Sequence, residues 1–557
     1  MLKTKIVSSL VKVYTDSSID DLDRFEKISA LKGERISFQL VTQYVKEEKD
    51  GKFTERKLYT PRLLGALSGY VTLREVRNVG VEMPTLPDLA DDNYERTAPG
   101  LYPDVLAPLN YGGKVNARVL FPSAVWVDVN IPSEAKQIGE SELKIELIDD
   151  KGEKAGEEAI RIELIDAVLP EQELILTQWF HTDCLANYYD VEVFSEKHWN
   201  IIENFARVAV KNGINMLLTP TFTPPLDTQI GGERLTTQLV GVTVENGKYY
   251  FNFDLLDRWV EMCDRVGIKY FEISHLFTQW GAKHAPKVMA TVDGEYKRIF
   301  GWETDAQAEE YVSFLRQFLK EFLTHMKKNG NDKRCYFHVS DEPVKDQIES
   351  YCKAKSSISD LLDGYVTMDA LSDYQFFEEG VVTTPISNLN SIPSFVNRGI
   401  PNLWAYYCCG ECSRVSNRFI AMPSSRNRSI GMQLYKYDIV GFLQWGFNFF
   451  SNQNSSDTVD PFTNSSGDSW VPSGDAHSVY PGFKGTALES LRLLVFHDAI
   501  QDIRAMRLCE SLYSKAEVVS EIEAIFGGEL TFYTCAKSAD TVLAIRERIN
   551  EMIKAKI

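Results

Sequence analysis

From Glu171 onward the chain repeats one grammar: a short β-rich apolar run, a loop, an amphipathic helix, and then the next run. Parallel strands need a crossover of a dozen or more residues, and right-handed strand-helix-strand wiring supplies it. Residues 174–180, 216–219, 269–277, 335–339, 365–368, 381–385, 403–408 and 439–445 read as eight such strands. Trp199, Ile202, Ala206, Ala209 and Val210 keep helical spacing until Gly213. Leu255, Trp259, Val260 and Cys263 do the same between Asp254, read as a cap, and the stop at Gly267. Thr304 with Gln307 reads as a capping box, after which Tyr311, Phe314, Leu315, Phe318, Leu319, Phe322, Leu323 and Met326 share one face. Eight alternations over roughly 330 residues fit a (β/α)8 barrel with insertions. An open doubly wound sheet is the structural alternative, but no Gly-rich phosphate loop follows any run, which weakens a nucleotide-binding reading.

The first 170 residues obey a different period. Ile36, Phe38 and Leu40 alternate with polar partners, as do Val125, Val127, Val129 and Ile131, then Leu143, Ile145 and Leu147. A period of two with one apolar face is the pattern of half-buried strands. Asp149-Asp150-Lys151-Gly152 reads as a turn, after which Ile160, Ile162 and Leu164 complete a hairpin. The expected organisation is a β-sandwich over 1–170, an α/β barrel over 171–510, and a small, mostly helical α/β extension over 511–557 with a short strand at 530–535.

Charge and composition narrow the partners. The formal net charge is −19 with no long basic block, which disfavours nucleic acid. No apolar run reaches the length of a membrane span, and the stretch 6–13 is short, broken by Lys12 and without a small-residue cleavage site. A cytoplasmic protein with no membrane span is expected. Nine cysteines in 557 residues fit a reducing compartment. Cys408, Cys409 and Cys412 are spaced unlike a zinc site and read as thiols buried around a strand end. No metal or cofactor is expected.

In a β/α barrel the working face lies at the C-terminal ends of the strands. His338-Val339-Ser340-Asp341-Glu342-Pro343 places two adjacent carboxylates at the end of the fourth run, where Pro343 stops the ladder. Two close carboxylates push one pKa up, as a general acid requires; an N-cap and first-turn acid pair before a helix near Val344 explains the same residues. Trp179, Trp280, Trp404, Tyr406, Tyr407 and Trp445 lie in or just past strands, where they serve either as sugar-stacking faces or as core filling. His275 and His338 end the third and fourth runs as candidate hydroxyl donors or core histidines. Arg414, Arg418, Arg426 and Arg428 read as loop and surface arginines.

Ser340-Asp341-Glu342-Pro343 resembles the Asp-Glu pair of glycoside hydrolase family 123. Leu101-Tyr102-Pro103-Asp104, Leu403 through Gly410, Arg428 through Gly431, Gly441 through Gly446, Asp460-Pro461-Phe462, Gly474-Asp475 and Tyr480-Pro481-Gly482 match in the same order. The resemblance implies a sandwich followed by a (β/α)8 barrel, and a retaining β-N-acetylgalactosaminidase acting on a glycan or glycolipid that carries N-acetylhexosamine. It implies that Asp341 holds the acetamido N–H while the acetamido oxygen attacks, and that Glu342 is the acid and base. Tyr365 or Tyr407 would bond the acetamido oxygen, Trp404 and Trp445 would wall the acetyl pocket, and Asp475 would contact a hydroxyl. Ala476-His477 stands where relatives carry glycine after that Asp, and Gln444 is also an uncommon choice. Two other readings remain open: a barrel glycosidase with Glu342 as acid/base and Glu411 as nucleophile, and a carbohydrate-binding barrel without catalysis.

Overall fold

The computed structural model describes residues 1–45 and 55–557. Its N-terminal part is two packed sheets. One orders Leu2–Ser8, Arg35–Tyr44, Ser123–Asn130, Val71–Val81 and Gly100–Pro108, and is completed by Ala487–Ser490 and Val479–Pro481 from the far end of the chain. The other orders Lys27–Lys32, Lys154–Val168, Gly139–Ile148, Arg56–Leu64 and Val115–Arg118. The alternating residues Ile36, Phe38, Leu40, Val127, Val129, Ile145, Ile160 and Ile162 fill the space between them, as a period of two demands. Gly139–Ile148 and Lys154–Val168 form the expected antiparallel hairpin. In its turn the Asp149 carboxylate accepts the N–H groups of Lys151 and Glu153, both at 2.9 Å.

Eight parallel strands then close a barrel: β1 Ile175–Gln178, β2 Met216–Thr219, β3 Tyr270–Ile273, β4 Cys335–Phe337, β5 Val366–Leu371, β6 Thr384–Asn388, β7 Trp404–Tyr406 and β8 Gly441–Gln444. Strand β8 pairs with both β7 and β1, so no edge remains. The loops after β2 and β3 carry a four-stranded insertion ordered Lys248–Asn252, Gly241–Glu245, Val288–Val292 and Glu295–Phe300. Phe251 packs on Phe314 and Phe318, which fastens the insertion to the helix Glu309–Lys328.

Local details correct three expectations. Asp254 is the first residue of its helix, not the cap, and its N–H donates to Asn252 Oδ1 at 2.8 Å; Gly267 does end that helix, at φ +100°. The Thr304 and Gln307 box is absent because the helix begins at Glu309; Thr304 and Asp305 instead close turns ahead of it, accepting from Gly301 and Gln307. Residues 530–535 form a loop and not a strand, and the Gln433 amide donates to its Thr531 and Thr534 carbonyls.

The C-terminal helices are Leu491–Leu512, Lys515–Phe526 and Ala539–Lys554. The first of them runs unbroken through position 510, and strands from 479–490 complete the N-terminal sheet. A buried ion pair locks that return: Arg492 meets Asp104 at 2.9 Å, and the Tyr480 hydroxyl donates to the same carboxylate at 2.6 Å. No helix among the described residues is long and apolar enough to cross a membrane.

Candidate active site

The tip of β4 is nailed down from both sides. Leu276 and Phe277, past β3, donate backbone N–H groups to the His338 and Val339 carbonyls, and Trp280 N–H donates to the Asp341 carbonyl at 2.9 Å. From β5, the Asp369 carboxylate accepts the N–H groups of Val339 at 3.0 Å and Ser340 at 3.2 Å. Glu342 then adopts φ +42°, a left-handed conformation that a glutamate occupies only under constraint. On a regular strand neighbouring side chains diverge; this reversal lets both half-buried acids line one cavity. Neither caps a helix, since the next one spans Ile348–Ser356 and the turn before it is closed by Val344 N–H and Gln347.

The cavity sits at the C-terminal mouth of the barrel, and its acids line it together with Trp179, Tyr406, Trp445 and Trp470. The Tyr406 hydroxyl donates to Glu342 Oε1. Trp179 Nε1 donates to Glu272 Oε1 at 2.7 Å, and Trp445 Nε1 donates to Asp475 Oδ2 at 2.9 Å. Each indole is therefore oriented by a buried carboxylate behind it.

Beneath the acids lies a charged layer. His338 contacts Glu272 at 2.7 Å and Asp369 at 3.2 Å, all three buried. Burial alone would pull the imidazole pKa down, but the hydrogen bonds and charges of Asp369 and Glu272 outweigh it and carry the pKa up to about 10. His275 stacks on it at 4.3 Å and burial holds that second ring neutral. Burial, and then the charge of Glu342, push the Asp341 carboxyl well above the ordinary range, with the His338 cation opposing.

The structure gathers some of the expected residues and disperses others. Asp341, Glu342 and Trp445 line the cavity. His275 and His338 form the layer below it and do not reach the lining. Tyr365 is corrected: it precedes β5 at the opposite barrel end, where its hydroxyl donates to Asp332. Tyr407 is corrected as well, because it points out of the barrel onto Phe442 and Phe496; the tyrosine in the cavity is its neighbour Tyr406. Trp404 fills the barrel interior, where only glycine at 441 leaves room for its ring: a Cβ there would fall 2.1 Å from it. Asp475 stands behind Trp445, not in the cavity, and burial raises its pKa to about 6.

Glu411 does not line the cavity; its carboxylate accepts Cys408 N–H and the Asn390 amide, both at 2.9 Å. Arg418, Arg426 and Arg428 are buried and not on the surface, and Arg418 crosslinks Gln178 to the Gly446 carbonyl. His181, Asp227 and Gln279 line the cavity without having been singled out in sequence. Their only signal there is a position in the loops past β1, β2 and β3.

A closed parallel barrel with paired acids and tryptophan walls at its C-terminal mouth defines the barrel glycoside hydrolase class. The family model described as "Glycoside hydrolase 123, catalytic domain" matches residues 179–509. The chain belongs to that family. Among solved structures it is similar over its whole length to a family 123 glycoside hydrolase from Clostridium perfringens, at 16% identity and TM-score 0.72, covering 98% of that chain. A glycosyl hydrolase family 2 member from Bacteroides cellulosilyticus matches at 11% identity and TM-score 0.29, over 77% of this chain and 46% of its own. No curated protein sequence matches.

Proposed function

We propose that this glycoside hydrolase is a retaining β-N-acetylhexosaminidase acting by substrate assistance, with terminal N-acetylgalactosamine on a glycan or glycolipid as its favoured substrate. The solved relative is described as hydrolysing glycolipid glycans. One observation supports the mechanism above others: two consecutive acids face a single cavity, while Glu411, the alternative nucleophile, is held by Cys408 and Asn390. Two acids reaching from one strand tip suit two adjacent groups of one substrate, the acetamido and the glycosidic oxygen.

In this reading Asp341 accepts the acetamido N–H. The acetamido oxygen bonds to the anomeric carbon as the bond to the leaving oxygen breaks, and Glu342 protonates that oxygen. Water then attacks the same carbon, Glu342 takes its proton, and the oxazolinium ring opens with net retention. Burial and the neighbouring Glu342 charge hold the Asp341 carboxyl above the usual carboxylate range. An N–H presented to Asp341 stabilises its anion and so favours the charged form that holds the acetamido group.

The test is a panel of para-nitrophenyl glycosides with and without the 2-acetamido group. Release from the acetamido members alone is expected, with Asp341→Asn and Glu342→Gln each lowering kcat by about 10²–10⁴. Glu411→Gln should turn over near the wild-type rate, and a thiazoline analogue of the cyclised intermediate should inhibit. Equal cleavage of the sugars lacking the acetamido group, or an inactive Glu411→Gln beside an active Asp341→Asn, would reject substrate assistance.

A further inference from the structure

We propose that Asp227 and Gln279 form the hydroxyl-reading pair of the cavity, gripping one ring hydroxyl of the terminal sugar. The proposal rests on the hexosaminidase reading and adds residues that decide which sugar it accepts.

Several other polar groups around the cavity are already committed. His181 Nε2 contacts the Trp445 carbonyl at 2.8 Å, and its Nδ1 receives Arg234 at 3.1 Å, so the ring has no free nitrogen. The Trp179 and Trp445 N–H groups are spent on Glu272 and Asp475. The Tyr406 hydroxyl donates to Glu342. Asp475, the expected hydroxyl contact, stands behind an indole.

Asp227 and Gln279 line the cavity, and each keeps a fully buried side-chain polar atom without a partner. Gln279 is 5% exposed, and its Nε2 has no partner. Its Oε1 accepts Asp227 N–H at 2.8 Å, which settles the orientation of the amide and leaves Nε2 as the free donor. The Asp227 Oδ2 atom is buried and likewise without a partner. Such burial is unfavourable unless something completes the bonding. A sugar hydroxyl does so with one atom, donating to Asp227 and accepting from Gln279.

The pair is also built rigidly. Asp227 is held at φ +42°, and Ser455 Oγ donates to its carbonyl at 2.9 Å. Gln279 is followed by Trp280, whose N–H donates to the Asp341 carbonyl. The reading groups are thereby indexed to the acids, as specificity for one ring position requires.

The experiment is calorimetric titration of N-acetylgalactosamine and its 3-, 4- and 6-deoxy analogues into wild type, Asp227→Asn and Gln279→Met. One deoxy analogue should bind wild type about ten- to a hundredfold more weakly than the parent sugar. Each variant should lose a similar factor for the parent, and the gap between parent and that analogue should close to about twofold. Variants that melt like wild type yet keep the full gap would overturn the pair. Wild type that binds every deoxy analogue as tightly as the parent would overturn it without any variant, and chromogenic release would still uphold the hexosaminidase reading. Wild type that neither binds nor cleaves the acetamido sugars defeats both.

Discussion

The Tyr406 hydroxyl, presented by β7, donates to Glu342 Oε1 across 2.6 Å and so ties the seventh strand to the acid at the tip of the fourth. Burial, and then the charge of Glu342, push the phenol pKa well above its ordinary value, so it remains a donor throughout the working range. Tyr406→Phe keeps the ring and removes only this bond. It should lower kcat/KM on an acetamido glycoside by about ten- to a hundredfold while moving Tm little. Steady-state kinetics and a thermal melt check both halves, and an unchanged kcat/KM would refute the role.

His338 lies between two buried carboxylates, Glu272 and Asp369, and its single positive charge offsets part of theirs. Removing the cation strands both charges, and His338→Gln should cost about 3–5 kcal/mol in urea unfolding. The pH dependence has a definite sign. The folded-state pKa of about 10 lies above the ordinary imidazole value of 6.5, so the contribution is complete below 6.5 and is lost as pH rises through about 10. Wild type should therefore lose stability over that window, whereas His338→Gln should show no such decline.

The barrel was legible because parallel strands buried on both faces write near-continuous apolar runs, and the acid pair was legible because it follows one of them. Which of two adjacent tyrosines enters the cavity was not. Tyr406 faces in and Tyr407 faces out, a choice set by a one-residue register that aromatic content alone does not encode. Asp227 and Gln279 lie in loops whose course depends on the four-stranded insertion. The arginines at 418, 426 and 428 looked like surface charges because their partners are distant in sequence: Gln178, Asp91 and Asp502. The return of 479–490 into the first sheet is a pairing of the same long range.

Asp104 is the sandwich's contribution to the integrity of the site. It holds Arg492, which also donates to the Gly474 carbonyl at 2.6 Å and the His477 carbonyl at 2.9 Å, shaping the loop that carries Asp475. Asp104→Ala leaves Arg492 buried without its counter-charge, and should destabilise the fold by about 3–5 kcal/mol. It should also depress kcat/KM, although no described residue of the sandwich lines the cavity. Full activity in a destabilised Asp104→Ala would show that the loop keeps its shape without the ion pair.

Asp475 sets stability against function. It orients Trp445 through a 2.9 Å hydrogen bond, yet burial outweighs its donors and raises its pKa from 3.8 to about 6. A raised carboxyl favours folding fully below its unfolded pKa and loses that contribution as pH rises through the folded one, so at neutral pH the charged form burdens the fold. Asp475→Asn removes that charge at nearly constant shape and should leave Tm at pH 7.5 unchanged or higher. The amide is a weaker acceptor for Trp445 Nε1, so the indole loses its anchor and kcat/KM should fall by about tenfold. The opposite pairing of results, a lower Tm with full kcat/KM, would mean that the carboxylate serves the core and not the wall of the cavity. Gains in stability bought by such losses of activity are the pattern expected where a charge is kept buried for function.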